Sequence, residues 1–447
     1  MVRKIIVMGV VLLFILVSPS FAEEEAHHAV SLPLITIVPF IIMLLCIALI
    51  PLIKEHWWED NWHKLIISCI LGIPIGIYIL FHDYIELLET MEEYLSFIIY
   101  VGSLFVIAGG IMIKGDIKVS PKVNTLFIGI GGLLASFIGT PGASMLLIRP
   151  VLRINSGRKY VMHTVIFFIF IVSNIGGCLT PLGDPPLFLG YLNGVPFSWT
   201  FILWPNWLFM TSILLLIYYV VDSYLLKREG LKQIEAGIKP EESFKIEGLI
   251  NFIWLLGIIL SVAFLPIFPL RELVMLTMVA LSLITTSKGL RKENKFTYNP
   301  IIEVAFLFFG IFLTMIPALI ILKSRGGELG VTEPWHFFWI TGMLSSFLDN
   351  APTYLTFFNL AQGLNASGNL VANTGIPAEI LIAISLGAVF MGANTYIGNG
   401  PNFMVKAISD EAGTKMPSFL GYMIWSFGIL IPLFVFNTFL TFIWKLI

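Results

Sequence analysis

Charge is scarce in this chain. Only 12% of its 447 residues are Asp, Glu, Lys or Arg, against 57% hydrophobic ones, and the mean hydropathy is +0.91. A composition so poor in charge excludes an ordinary water-soluble protein of this size. The formal net charge of −2, with basic residues spread over short loops, gives no footprint for a nucleic-acid partner. Cysteine is also rare: Cys46, Cys69 and Cys178 are odd in number, far apart and set in apolar runs. They make neither a disulfide framework nor a metal cluster. No nucleophile–base pair, phosphate loop or metal-ligand spacing stands in the chain, so the sequence does not read as an enzyme and implies no resident cofactor.

What is present is a series of apolar runs long enough to cross a bilayer, each needing about 20 residues. Residues 1–22 read as a signal peptide: Arg3 and Lys4, an apolar stretch from Ile5 to Val17, then small residues around Ala22. The runs Leu32–Ile53, Leu65–Ile79 and Leu95–Ile113 read as the first spans. The segment Asp83–Glu93 has four glutamates and no Lys or Arg, whereas Lys114, Lys118 and Lys122 follow the third span. The positive-inside rule puts the lysines in the cytoplasm and the N-terminus outside, as expected for the bacterial inner membrane. Tyr84–Tyr94 reads as a separate interfacial helix.

Asn124–Ile148 has basic residues at both ends and a break at Gly139-Thr140-Pro141-Gly142. A re-entrant hairpin explains both features. Val161–Leu179 follows and breaks at Thr180–Pro186, and Trp199–Val221 returns to the basic side. Residues 227–247 read as a cytoplasmic linker between a first transmembrane repeat at 31–226 and a second, inverted one at 248–447. In the second repeat the hairpin is interrupted at Asp349–Pro352 and the helix from Ile380 is broken at Asn394–Pro401. Gly132–Thr140 aligns with Gly342–Asn350, and Thr180–Pro186 with Thr395–Pro401. The expected fold is an all-α polytopic membrane protein of two inverted repeats, each with a re-entrant hairpin and a broken transmembrane helix. Paired breaks at corresponding positions point to a transporter's binding site.

Irregular backbone at membrane depth survives only where protein, water or an ion satisfies it. The breaks are rich in oxygen ligands of the kind hard cations prefer: Ser136, Thr140, Ser173, Asn174, Thr180 and Asp184 in one half, and Ser346, Asp349, Asn350, Thr353, Asn394, Thr395, Asn399 and Asn402 in the other. Asp349 and Asp184 are the only acids this reading places deep in the membrane, and it places no Lys or Arg there. Asp349, at a hairpin tip, ranks first, with a structural cap as the alternative. Asp184 ranks second, the alternative again being an N-cap. For Glu303 an interfacial acid and for His163 a satisfied core histidine are the expected roles. Arg149 and Arg153 read as topological anchors able to draw in an anion.

Ser173-Asn174-Ile175-Gly176-Gly177 leading to Thr180–Pro186, with Phe347–Asn350 and Asn394–Gly398, resembles the ion transporter superfamily. Within it, the likeness is to NhaD-type sodium/proton antiporters and to the related citrate-transporter family. The resemblance implies a homodimer, a scaffold domain and a moving transport domain that holds the hairpins and broken helices. The tips Gly139-Thr140-Pro141 and Asp349-Asn350-Ala351 depart from the Ser-Asn-Thr signatures of the dicarboxylate branch and resemble those of antiporters and arsenite effluxers.

The expected activity is sodium/proton antiport by alternating access. Asp349 binds proton or sodium in turn and Asp184 assists. Asn350, Asn174, Thr180, Asn394, Thr395, Asn399, Thr140 and Ser346 complete the shell, with sodium held at Asp349, Asn350 and Asn394. The alternative is transport of citrate or another organic anion coupled to cations.

Overall fold

The computed structural model describes residues 32–447 except 59, 115–118, 230–244, 266–267, 295, 365 and 367. The expected signal peptide and most of the expected 227–247 linker lie outside the described residues. The chain is an all-α polytopic membrane protein. Among the described residues, eight helical stretches are long and apolar enough to cross a bilayer.

An outer set of helices comes from the start, the middle and the end of the sequence: α1 (Val38–Ile53), α2 (Asn61–His82), α3 (Tyr84–Ala108), α8 (Trp204–Glu229), α9 (Ile250–Phe264), α10 (Leu270–Thr285), α12 (Asn299–Arg325) and α17 (Phe419–Thr438). The inner set is α4 (Pro121–Ile138) with α5 (Thr140–Ile154), α6 (Met162–Ile171) with α7 (Pro185–Leu192), α13 (Pro334–Ser345) with α14 (Asn350–Gly363), and α15 (Ala378–Met391) with α16 (Gly400–Glu411). The short α11 (Lys288–Glu293) joins α10 to α12. A two-stranded ladder pairs Met112–Lys114 with Lys245–Glu247, so the end of the linker is tied to the end of the third span.

Burial does not follow that division strictly, since Asn299–Arg325 of the outer set is 67% buried and Pro121–Ile138 of the inner set 39%, but its extremes do. The stretch Met162–Leu179 is 94% buried, whereas Phe419–Ile443 is only 22% buried. Phe81, Ile284 and Ile424 are among the large apolar side chains left exposed. Lipid is the medium in which such a surface is stable.

Tyr84–Tyr94 is not a separate interfacial helix. It forms the first turns of the continuous α3, with Asp83 accepting from Glu86 N at 3.1 Å as its cap. The glutamates do not break the helix because Glu is a good helix former.

Both hairpins are antiparallel. Asn124 at the start of the first and Asn155 at its end exchange two amide hydrogen bonds, of 2.9 and 3.1 Å. In the second, Phe337 near its start meets Phe357 near its end at 6.4 Å between ring centroids. The first broken helix stops earlier than the sequence suggests, at Val172–Asn174. Asn174 turns its amide back onto the Ile169 carbonyl, at 2.8 Å. The polar break therefore begins some six residues before Thr180.

Candidate functional site

The first hairpin turns at Gly139, whose φ of +77° suits glycine. There the hairpin locks into the broken helix. Thr140 N donates to Gly183 O at 2.8 Å, Ser136 Oγ donates to Gly176 O at 2.5 Å, and Thr180 Oγ1 donates to Ser136 O. The second half repeats the last bond, since Thr395 Oγ1 donates to Ser346 O. Leu182 N donates to Thr180 Oγ1 at 3.1 Å, and Ile397 N to Thr395 Oγ1 at 3.2 Å. Glycine permits the close approach: a Cβ on Gly183 would sit 1.9 Å from Gly177 O, and one on Gly398 2.5 Å from Gly392 O.

The two locks converge on Asp184, which is fully buried. It occupies the N-cap position of α7, yet its side chain makes no capping bond. Its Oδ1 accepts from Thr140 Oγ1 at 2.6 Å and from Asn399 Nδ2 at 3.2 Å, and its Oδ2 accepts from Asn350 Nδ2 at 2.6 Å. One carboxylate thus joins both hairpin tips and both broken helices. All three donors are neutral.

Around it, Asn399 also donates to Ser173 O at 3.0 Å and to Asn174 Oδ1 at 3.3 Å. Asn174 Nδ2 donates to Asn402 Oδ1 at 2.7 Å. Asn394 Nδ2 donates to Ser346 Oγ at 2.9 Å. The Oδ1 atoms of Asn350 and Asn394 are buried with no hydrogen-bond partner. A buried acceptor left unpaired costs about 1–3 kcal/mol unless something else satisfies it. An oxygen-seeking cation is one such group, and at Asn350, which bonds the Asp184 carboxylate, a free neutral amide oxygen fits a hard cation.

Asp349 is placed differently. It is only half-buried, and its Oδ1 accepts from Ala351 N at 3.1 Å, the bond of an N-cap on α14. It lies within electrostatic reach of Asp184 without joining the hydrogen-bond ring. The capping alternative thus describes Asp349's geometry and does not describe that of Asp184.

Comparison with known families matches residues 29–442 to a family model described as "putative citrate transport". The chain belongs to that family. Comparison with curated proteins found no match. Membership makes this a protein of a transporter family, in keeping with the many spans and the enclosed polar centre.

In this family member, several buried charges escaped the sequence reading. Asp222 and Glu272 are fully buried, and Arg158, Arg271 and Lys64 nearly so. Asp222 accepts from Arg158 and, at 3.2 Å, from Asn124, and pairs with His163 at 2.9 Å. His163 is therefore a satisfied buried histidine. Glu303 pairs with Lys64 at 2.8 Å. These residues sit near the ends of apolar runs, where a sequence cannot distinguish an inward-facing charge from one reaching water. The sequence carried no signal for them: packing supplies each of these acids with a basic partner, whereas Asp184 has only neutral ones.

Proposed function

We propose that the chain is a secondary transporter whose central site, built around Asp184, binds a small hard cation, sodium first, in exchange for a proton. Asn350 and Asn394 supply amide oxygens, and Thr140, Asn174, Asn399, Thr180, Thr395 and Ser346 hold the frame. Asp349 is an auxiliary charge at the rim. The observation that carries this reading is an enclosed carboxylate whose hydrogen-bond donors are all neutral. Burying an unpaired carboxylate is costly, so it is occupied by a proton or a cation. Competition for one carboxylate couples the two fluxes. Alternating access in a homodimer of the bacterial inner membrane is part of the proposal.

A second reading, cation-coupled transport of citrate or a similar organic anion, is favoured by the family description. It is also favoured by a cavity of about 520 Å³ where α5 meets the end of α16, whose lining includes Arg149, Arg153 and Arg158 together with Glu293 and Glu411. Here the central cation would drive uptake instead of being exchanged.

Proteoliposomes loaded with a pH-sensitive dye distinguish the two. Sodium-evoked proton movement without any organic anion supports exchange. Proton or sodium movement that requires citrate supports the second reading. Movement of neither ion under either condition overturns both.

A further inference from the structure

The helix that begins at Asp184 is gripped from outside the central ring. Arg271, in the first turn of α10, is nearly fully buried, and its guanidinium lies 5.9 Å from the ring centre of Phe188 and 5.6 Å from that of Tyr191, both on α7. Its Nε and Nη2 donate to Glu272 Oε1 at 2.8 and 2.5 Å, and Nη2 also reaches Ser96 Oγ on α3 at 3.3 Å. Ser96 Oγ itself donates to Glu272 Oε1 at 2.9 Å. The guanidinium is thereby fixed in its plane by a fully buried carboxylate, and Glu272 Oε2 is left without a partner.

A buried ion pair is weak evidence for stability, since its desolvation offsets much of its attraction. This pair presents a flat cation to two aromatic faces, a contact strengthened by desolvation. The same stretch of chain is held further by Tyr100, which stacks on Phe188 at 3.8 Å and donates to Leu182 O at 2.5 Å, two residues before Asp184.

We propose that Arg271 is a positioning residue for the central site: its guanidinium sets the place of α7 against α3 and α10, and so the place of the Asp184 carboxylate among Thr140, Asn350 and Asn399. This rests on the reading of Asp184 as the cation-binding carboxylate. Arg271 touches no transported ion.

Arg271→Lys keeps a positive charge beside Glu272 but removes the planar, forked group. Phe188→Leu keeps the apolar contact and removes the ring face. Sodium-dependent flux in proteoliposomes, fitted for half-saturating sodium and maximal rate, reads the effect. Each variant is expected to raise half-saturating sodium about five- to tenfold with a maximal rate within about twofold of the parent. The double variant is expected to fall short of the product of the two single effects, because the Arg271–Phe188 contact is lost in both, while each single variant also removes a contact of its own, Phe188 with Tyr100 and Arg271 with Tyr191. An unchanged half-saturating sodium in Arg271→Lys, or additive effects in the double variant, overturns the positioning role. If Arg271→Lys fails to reach the membrane folded, Phe188→Leu alone decides by the same shift. Asp184→Asn run in parallel separates the two ideas. Retained sodium flux there defeats the central-site reading, whereas its loss with normal affinity in Arg271→Lys defeats only the positioning proposal.

Discussion

Asn399 donates to Asp184 across 3.2 Å, and each of the two is the N-cap of the helix that resumes after a break. Neither side chain caps its own helix. Both turn instead toward the opposite half, which makes the centre of the protein a contact between corresponding positions, one charged and one neutral.

Asp184→Asn is expected to abolish sodium-dependent proton flux while the protein still inserts and folds, because Asn keeps the volume but neither titrates nor offsets a cation's charge. Asp349→Asn is expected to keep flux within a few-fold, since Asn caps about as well as Asp. Parallel dye assays at matched expression check the pair. The opposite ranking would return Asp349 to the place the sequence analysis gave it.

Asn394→Leu tests the orphan amide oxygen. Leu179 stands at the corresponding position of the first half, so the lock tolerates a leucine of similar size. Half-saturating sodium is expected to rise at least about tenfold, equivalent to about 1.4 kcal/mol of lost binding. An unchanged sodium dependence removes Asn394 from the shell.

Gly183→Ala is expected to destabilise the fold by about 1–3 kcal/mol, an overpacking cost, because its Cβ would meet Gly177 O at 1.9 Å. Gly428→Ala, in mid-helix with nothing within 4 Å, serves as the control and is expected to be neutral or slightly stabilising. Thermal unfolding of the detergent-solubilised variants measures both.

The membrane sidedness of the hairpins can be read by single-cysteine labelling in a cysteine-free background. Residues 114–122 and 149–159 are expected to label from the cytoplasm, and 323–335 and 362–377 from the outside. Labelling of one hairpin's flanks from opposite sides would rule out a re-entrant hairpin there and, with it, the inverted repeat.

The sequence by itself determined the solvent, the order of the apolar runs and roughly where the helices break, although packing moved the first break from Thr180 back to Val172–Asn174 and joined Tyr84–Tyr94 to the third span. These follow from local properties: long apolar runs, Pro and Gly at the breaks, and a recurring Ser-x-x-x-Thr or Ser-x-x-x-Asn spacing at the hairpin tips. It also named the members of the central ring, from Thr140 to Asn399. Tertiary structure alone decided which carboxylate stands at the centre. Asp184 and Asp349 both precede a helix and look alike as letters, and capping is available to each from sequence. Only the packing of Thr140, Asn350 and Asn399 against Asp184 removes its side chain from its own helix end, while Asp349 keeps its local bond to Ala351. The buried pairs Arg271–Glu272 and Arg158–Asp222 were likewise beyond the sequence. Arg158 and Asp222 are 64 residues apart in the chain, and although Arg271 and Glu272 are neighbours, the groups packed against them, Ser96, Phe188 and Tyr191, come from other helices.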